Sequence, residues 1–387
     1  MNDRCDIAII GGGPIGCALA AALRGGGFQC VVLEARSGRS AAADGRTLAL
    51  SFASRLILER IGAWSAIDPV TPIVGIHVSQ QGAFGRALLQ AADVGLEALG
   101  YVMPFAALHE ALFAVLDRSG VEVRFGTRVT RLAPALDAVC VHCSSDEGEV
   151  VLRARLAVIA DGATSLGQQA GAGFCMRDYA QAAVVGMVQS ASAHGNRAYE
   201  RFTPHGPVAL LPSSDEFALV WTCRPEAAPH LISLSDGQFL VMLQQHFGDR
   251  AGRFVSVRSR AAFALSLRFA RRIVRDRIVL LGNSAQMLHP IAGQGFNLGL
   301  RDTWELARLL RRGAVSDPGI PALLARYGRS RRIDRIAGIT ATDLLTRIFS
   351  NDFPVIEQAR GLGIALLDLL PPARRFLMRR MIFGTAA

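Results

Sequence analysis

Three sets of residues in this sequence have the types and spacing to do chemistry. The first is Gly11-x-Gly13-x-x-Gly16, a turn that includes Pro14, between an apolar strand over Asp6 to Ile10 and a small-residue helix over Cys17 to Arg24. Gly11 permits the tight turn and Gly13 lets the backbone approach a pyrophosphate. Gly16 allows close helix–strand packing, and the positive end of the helix favours the negative charge. Glu34 follows a second strand, Cys30 to Leu33, where a carboxylate accepts hydrogen bonds from ribose hydroxyls. With strand, helix and acidic residue in place, the spacing reads as a dinucleotide site and not as a bare glycine turn. It does not separate NAD from FAD, although a position at the start of the chain leans towards FAD.

The second set is an apolar strand, Leu156 to Ala160, that ends in Asp161-Gly162-Ala163-Thr164-Ser165. A carboxylate and a small residue at a strand's carboxyl edge are placed to meet a ligand. Taken alone, this set is equally a plain strand and turn. The third set runs from Leu281 to Gly299. A buried strand ends at Gly282, and Asn283 offers a polar side chain to ribityl hydroxyls. Pro290, Gly293 and Gly295 form a loop whose backbone can approach a flat ring, and a helix starts near Asn297 with its positive end towards that loop. Such an end would stabilise negative charge developing on a reduced flavin.

The elements that must position these sets follow from periodicity. Arg46 to Ile61 reads as helix, Ile73 to Ser79 as strand, and Leu108 to Leu116 as helix. Ala138 to Cys143 and Glu149 to Leu152 read as a hairpin. From Tyr179 to Ala264 strands and turns dominate, interrupted by a helix over Ser235 to Phe247, so a largely antiparallel sheet is expected there. After Asn297 the pattern is helical. The fold class is therefore α/β, with a Rossmann-like dinucleotide domain built from residues 1–72, 100–175 and 270–340. A mainly antiparallel sheet domain is inserted at 73–99 and 176–269, and C-terminal helices occupy 341–387.

Composition limits the function classes. Of 387 residues, 51% are hydrophobic and 19% charged, which permits a large core and excludes general disorder. The net charge of +10 admits nucleic acid, anionic lipid or simple solubility, but no nucleic-acid module accompanies it. Seven cysteines at irregular spacing form no disulfide framework and suit a reducing compartment. Cys140-Val141-His142-Cys143 lies on a strand without a second ligand pair, so no metal site is expected. Asp3, Asp6 and the glycine turn argue against a signal sequence at Ile7 to Leu23, and no run of about eighteen apolar residues suggests a span.

These motifs, in this order, resemble the group A flavin monooxygenases over nearly the whole chain. The resemblance implies FAD as cofactor and NADPH or NADH as co-substrate. Gly11, Gly13, Pro14, Gly16 and Glu34 would hold its ADP half. Asp161 and Gly162 would lie near the pyrophosphate and serve pyridine-nucleotide use. Gly282, Asn283, Gly293, Gln294, Gly295, Phe296 and Asn297 would hold the ribityl chain and ring, and Arg46, in Asp44-Gly45-Arg46, would lie near the flavin. Within the family, the string His289 to Asp302 is similar to the ubiquinone-biosynthesis branch. Gly282-Asn283-Ser284-Ala285-Gln286 and Glu200-Arg201-Phe202-Thr203-Pro204-His205-Gly206-Pro207 resemble its 2-polyprenyl-6-methoxyphenol hydroxylases. Two positions depart from the wider pattern. Asn283 replaces an acidic residue, and Gln168 stands where the Asp-Gly motif usually has Arg, which weakens the expected nicotinamide contact.

The implied reaction is ring hydroxylation of a polyprenyl phenol by molecular oxygen, through a C4a-hydroperoxyflavin, giving a 1,4-benzoquinol. His289, Pro290 and Gly293 would form the flavin and substrate loop. No catalytic base is evident, although His205 or His289 could accept the phenol's proton. Alternatives are another ring position or phenol, a prenyl-reducing flavoprotein, or a non-catalytic flavoprotein scaffold in a quinone-biosynthesis complex, the last favoured by Gln168. The intact loop His289 to Gly299 stands against the last two. A prenylated substrate implies a cytoplasmic protein peripheral on the inner face of the membrane. The apolar stretch Leu362 to Leu370, followed by Arg374, Arg375, Arg379 and Arg380, suits either a surface anchor or a helix packed on the protein. The run Arg268, Arg271, Arg272, Arg275 and Arg277 reads as an exposed basic edge.

Overall fold

The computed structural model describes residues 4–39, 45–82, 85–204, 206–290, 293–312, 316–349, 361, 363 and 365–384. Strand Arg4–Ile10 lies at the centre of the first sheet, parallel to Cys30–Leu33 on one side and to the end of Gly148–Ile159 on the other. Glu122–Arg124 and Ile278–Leu280 extend the parallel set outwards. Ile7, Ala8, Ile9, Ala157 and Val158 are wholly buried, as in a parallel sheet covered on both faces. Helix Pro14–Leu23 follows the first strand, and its alanines let it lie close. The first half of Gly148–Ile159 pairs with Val139–Ser145, which carries Cys140 and Cys143, and that strand pairs with Arg128–Pro134. All seven cysteines are free thiols. No group of residues suited to a metal occurs among the described residues.

A second sheet of eight strands is antiparallel except where Arg197–Thr203 runs parallel to Gly75–Gln80. Its long strands, Phe174–Ser190 and Phe254–Ala270, pair with each other along their length. Helices Ala227–Ser233 and Asp236–Phe247 bury one face of this sheet around Phe217, Leu219, Trp221 and Phe239. Ser235 and Gln238 form a reciprocal capping box at the start of the second helix. The other face turns towards the first sheet.

A small third sheet corrects the helical reading of Arg46 to Ile61. Thr47–Ser51 is a strand paired with Gly100–Pro104, and the helix is confined to Phe52–Arg60. The pairing is non-local, and Gly100 makes it close, because a Cβ there would collide with the Leu50 carbonyl oxygen. Ser51 ends the strand and caps the helix, its hydroxyl accepting from the Ser54 N–H at 3.3 Å. Ile73 to Ser79 is likewise split: Thr71–Ile73 joins the small sheet and Gly75–Gln80 the large one.

The helices Gln294–Arg312, Pro321–Phe349 and Pro371–Phe383 complete the described chain. The division expected at 340/341 falls inside the 29-residue helix Pro321–Phe349. A buried polar network ties that helix to the third motif. The Gln286 amide donates to Asp302 at 2.6 Å and accepts from Arg335 Nε at 2.8 Å, while Arg331 Nε donates to Asp302 at 2.6 Å. Asp334 accepts from Arg301 at 3.0 Å and Arg331 at 2.5 Å. Burial works against the charge on Arg331, but Asp302 and Asp334 outweigh it and raise its pKa. No helix among the described residues is long and apolar enough to cross a membrane.

Candidate active site

At the carboxyl ends of the parallel strands a cavity of about 880 Å³ opens between the first sheet, the small sheet and the second sheet. Gly11 bends at φ +107°, and a Cβ there would come within 2.7 Å of the Ala160 carbonyl oxygen. A Cβ on Gly13 would meet nothing within 4 Å, so this part of the backbone faces open space. Pro14 also lines the cavity. Gly16 does not: it packs on the Gly11 carbonyl, and its lack of a side chain serves the helix–strand contact.

Glu34 lies buried beside this turn. Its carboxylate accepts from the Gly12 N–H at 2.7 Å, the Arg36 N–H at 2.8 Å, and Arg36 Nε and Nη2 at 2.9 and 3.1 Å. Burial is the largest influence and pushes its pKa up, but the Arg36 and Gly12 hydrogen bonds outweigh it and hold the group below the usual carboxylate value. Arg36 went unread in the sequence, although its position two residues after the acidic one was a usable signal.

The second motif lies against the third. Ser284 Oγ donates to Asp161 at 2.8 Å and accepts from the Gly162 N–H at 2.8 Å. Arg268 Nη2 donates to the carbonyls of Gly162 at 3.0 Å and Asn283 at 3.2 Å. The basic run is therefore not all exposed edge: Arg268 is half-buried at the site, and Arg277 is buried in an ion pair with Asp317. Asn283 is exposed on the cavity wall, and Gln168 is exposed and away from it. Arg46 lines the cavity with its guanidinium 4.6 Å from the Phe105 ring centroid, whereas Asp44 lies outside the described residues.

Gly282, His289, Pro290, Gly293, Gly295 and Phe296 bring the third motif to the same cavity. Gly293 turns at φ +59°, its Cβ position 3.3 Å from the Ala49 Cβ. Asn297 stands back from it. Its Oδ1 accepts from the Ser51 N–H at 2.8 Å and Ser54 Oγ at 2.7 Å, and its Nδ2 donates to Ala49 at 3.1 Å and Gly293 at 2.8 Å. Asn297 is thus a bracket between loop and strand, not a side-chain ligand. Gln294 lines a second, apolar cavity of about 80 Å³ with Met378, Met381 and Ile382. Ile291, Ala292 and His205 lie outside the described residues.

His289 is buried edge-on to Tyr179, with ring centroids 5.4 Å apart, and burial pushes its pKa down to about 4. It is a neutral imidazole near pH 7 and a far weaker base than a phenolate, whose conjugate acid titrates near ~10. The reading of His289 as proton acceptor is therefore not supported. The cavity wall opposite this loop comes from the second sheet, where Leu211 and Val220 face inwards. No local sequence signal marked those two residues.

The cavity's glycine cradle, its carboxylate beside the turn and its volume of about 880 Å³ fit a flavin dinucleotide. The family model for the FAD binding domain matches residues 4–338. The chain belongs to this FAD-binding family. Over 384 residues this FAD-binding chain is 37% identical to the ubiquinone hydroxylase UbiL of Rhodospirillum rubrum, covering 97% of this chain and 88% of that protein. It is 32% identical over 380 residues to the 3-demethoxyubiquinol 3-hydroxylase of Escherichia coli, covering 94% of each. Its fold superposes on the p-nitrophenol 4-monooxygenase PnpA of Pseudomonas putida with a TM-score of 0.80 over 100% of both chains, at 19% identity. FAD is the cofactor that the family and the cradle share.

The depressed pKa of His289 has a stability consequence. The folded protein holds the ring neutral down to about pH 4, whereas the unfolded chain takes up the proton below about pH 6.5. The stability tied to this residue is full above pH 6.5 and is lost as pH falls from 6.5 to 4, by about 3 kcal/mol in total. Urea unfolding of the native protein and of His289→Gln across this range should show the steeper fall in the native protein alone.

Proposed function

We propose that this protein is an FAD-dependent monooxygenase that hydroxylates the aromatic ring of a polyprenyl phenol in ubiquinone biosynthesis, with 2-polyprenyl-6-methoxyphenol as substrate and the 1,4-benzoquinol as product. One observation carries the reading: a single cavity runs from the glycine turn to an apolar wall of the second sheet, past His289 and Pro290. The nucleotide end takes the cofactor, and Leu211 and Val220 face the place left for a ring. The hydroxylase names of the two relatives above support the same reaction class.

We assign residues 1–72, 100–175 and 270–340 to cofactor binding and 73–99 and 176–269 to covering the substrate. Gly11, Gly13 and Pro14 take the pyrophosphate at the start of helix Pro14–Leu23, and Glu34 takes the ribose. Asp161 and Gly162, held by Ser284, lie beside the pyrophosphate. Gly282 and Asn283 meet the ribityl chain, and Pro290, Gly293, Gly295 and Phe296 present backbone and an apolar edge to the ring. Gly16, Gln294 and Asn297 act by packing and bracing. When bound, FAD supplies the redox chemistry, taking electrons from NADPH or NADH and activating oxygen. Leu48, Leu211, Val220 and Leu288 line that cavity and keep water from the reacting atoms. The absorption spectrum of the purified protein and its NADPH oxidation with 2-polyprenyl-6-methoxyphenol test this reading. Flavin bands and substrate-stimulated oxidation are expected, whereas flavin without stimulation by any phenol would favour the scaffold.

A prenylated substrate resides in a bilayer, and the C-terminal segment offers a surface for one. Met378 and Ile382 pack inwards against Leu89 and Leu99. Leu369 and Phe376 remain 73% and 65% exposed, with Leu366, Leu370 and Leu377 also outward. Arg375, Arg379 and Arg380 are exposed beside them, so apolar insertion and attraction to anionic headgroups act together. The segment thus both packs on the protein and presents an apolar, basic face. Flotation with vesicles containing phosphatidylglycerol should carry the protein upwards, and a Leu369→Ser/Phe376→Ser variant should stay behind. Equal flotation of both proteins would remove this surface from the account.

A further inference from the structure

The reaction proposed above needs a group to take the phenol's proton; burial leaves His289 a weak base, and His205 lies outside the described residues. A carboxyl group stands beside the cavity wall, in one row with a residue that lines it. Glu200 lies on strand Arg197–Thr203 of the second sheet, directly opposite Ala209, which in turn lies opposite Val220. Directly paired residues share a face, so Glu200, Ala209 and Val220 form one row, and Leu211, two residues after Ala209, lies on the same face. Val220 and Leu211 are the sheet's contribution to the cavity wall. Two strand spacings, about 10 Å between backbones, separate Glu200 from Val220, and the only side chain between them in the row is the methyl of Ala209.

Most of the neighbours of Glu200 are apolar, with the buried amide of Gln80 diagonal to it on the same face. Val78 is its partner on Gly75–Gln80, and Ala198 and Phe202 flank it on its own strand. Phe202 packs with Leu345 and Leu367 from the C-terminal helical region. Glu200 Oε1 has no hydrogen-bond partner among the described residues, although a buried carboxyl oxygen without one is costly. The titratable groups on the neighbouring elements are engaged elsewhere. His77, Tyr199 and Arg201 alternate onto the opposite face of their strands. Glu216 pairs with Arg258, Asp343 with Arg177 and Arg347, and Asp368 lies 3.6 Å from Arg374. With no counter-charge on it, burial alone raises the Glu200 pKa to about 7.

We propose that Glu200 is the proton acceptor for the phenolic hydroxyl of the substrate. In this step the proton leaves the phenol oxygen for a Glu200 carboxylate oxygen, giving a phenolate and a neutral carboxylic acid, with no change of oxidation state. The electron pair left on the phenolate oxygen raises the density at the ring carbon that is attacked. That carbon gains the hydroxyl oxygen, its own C–H bond then breaks with loss of a proton to solvent, and the Glu200 proton returns to the phenol oxygen as the quinol forms. A carboxyl near pH 7 and a phenol near ~10 differ by about three units. Glu200 therefore accepts a hydrogen bond in the resting complex and takes the proton as the attack proceeds, which is general-base catalysis. This inference rests on the phenol-hydroxylase reading.

The test compares the native holoenzyme with Glu200→Gln, which keeps the shape and removes the base. The expected result is unchanged flavin content and an unchanged slow NADPH oxidation without phenol, with hydroxylated product falling about 100-fold. The native rate should rise with pH through an inflection near 7 that the variant lacks. Ring-fluorinated substrates, whose phenols are more acidic, should recover part of the variant's rate, and more of it as pH rises towards their ionisation. Product formation within a few-fold of native, with the inflection retained, would overturn the role of Glu200 while leaving the hydroxylase intact. A native enzyme that hydroxylates no phenol would instead sink the reading on which it rests. Should Glu200→Gln not fold, the native pH profile decides: an inflection near 7 supports the proposal and a flat profile between pH 6 and 8 overturns it.

Discussion

The site exists because three distant stretches of backbone approach more closely than side chains allow. Gly11 lies against Ala160 and Asp161, where a Cβ would come within 2.7 Å of a carbonyl oxygen. Gly282 lies on Ile15, with its Cβ position 3.0 Å from the side chain, and Gly299 lies 3.1 Å from the Gly282 Cα by the same measure. Two of these contacts join one motif to another, the first turn to the Asp-Gly strand and the first helix to the third motif, and the last closes the third motif on its own helix. A methyl group at Gly11 would push the walls apart, and one at Gly282 or Gly299 would make its neighbour give by a few tenths of an ångström. Interiors packed this closely do not absorb such a change without moving backbone.

On that frame the remaining parts divide the work. Asn297 spends all four of its hydrogen bonds on the protein and fixes the Gly293 loop to strand Thr47–Ser51. The Gln286–Asp302–Arg331–Arg335 network fixes the following helices to the same motif. Ser284 and Arg268 hold the Asp161–Gly162 turn from two sides. The side chains left facing the cavity are then mostly small or apolar, which suits a reaction whose reactive atoms belong to the cofactor and must be kept from water.

What was legible in the sequence was local. The strand–Gly11–helix–Glu34 unit and the chain of residues from Gly282 to Asn297 carry their meaning in consecutive spacing, and family membership follows from them. What was not legible depends on pairing at a distance. Thr47–Ser51 reads as helix until Gly100–Pro104 pairs with it. Leu211 and Val220 become a cavity wall only through the register of two antiparallel strands, and Glu200 enters their row by the same register. Arg268 looks like one of five surface arginines until its long strand carries it to Gly162. His289 was marked by its position in the loop, but its burial, which lowers its basicity, is a property of the packed fold.

The central claim is that one atom of molecular oxygen enters an aromatic ring in this cavity. It is tested most directly by turnover with NADPH and 2-polyprenyl-6-methoxyphenol under ¹⁸O₂, followed by mass analysis of the isolated quinol. The account predicts a product carrying a single ¹⁸O, and no label when the heavy isotope is supplied as water. A product without ¹⁸O from the gas, or oxidised cofactor with the phenol recovered unchanged, would contradict it.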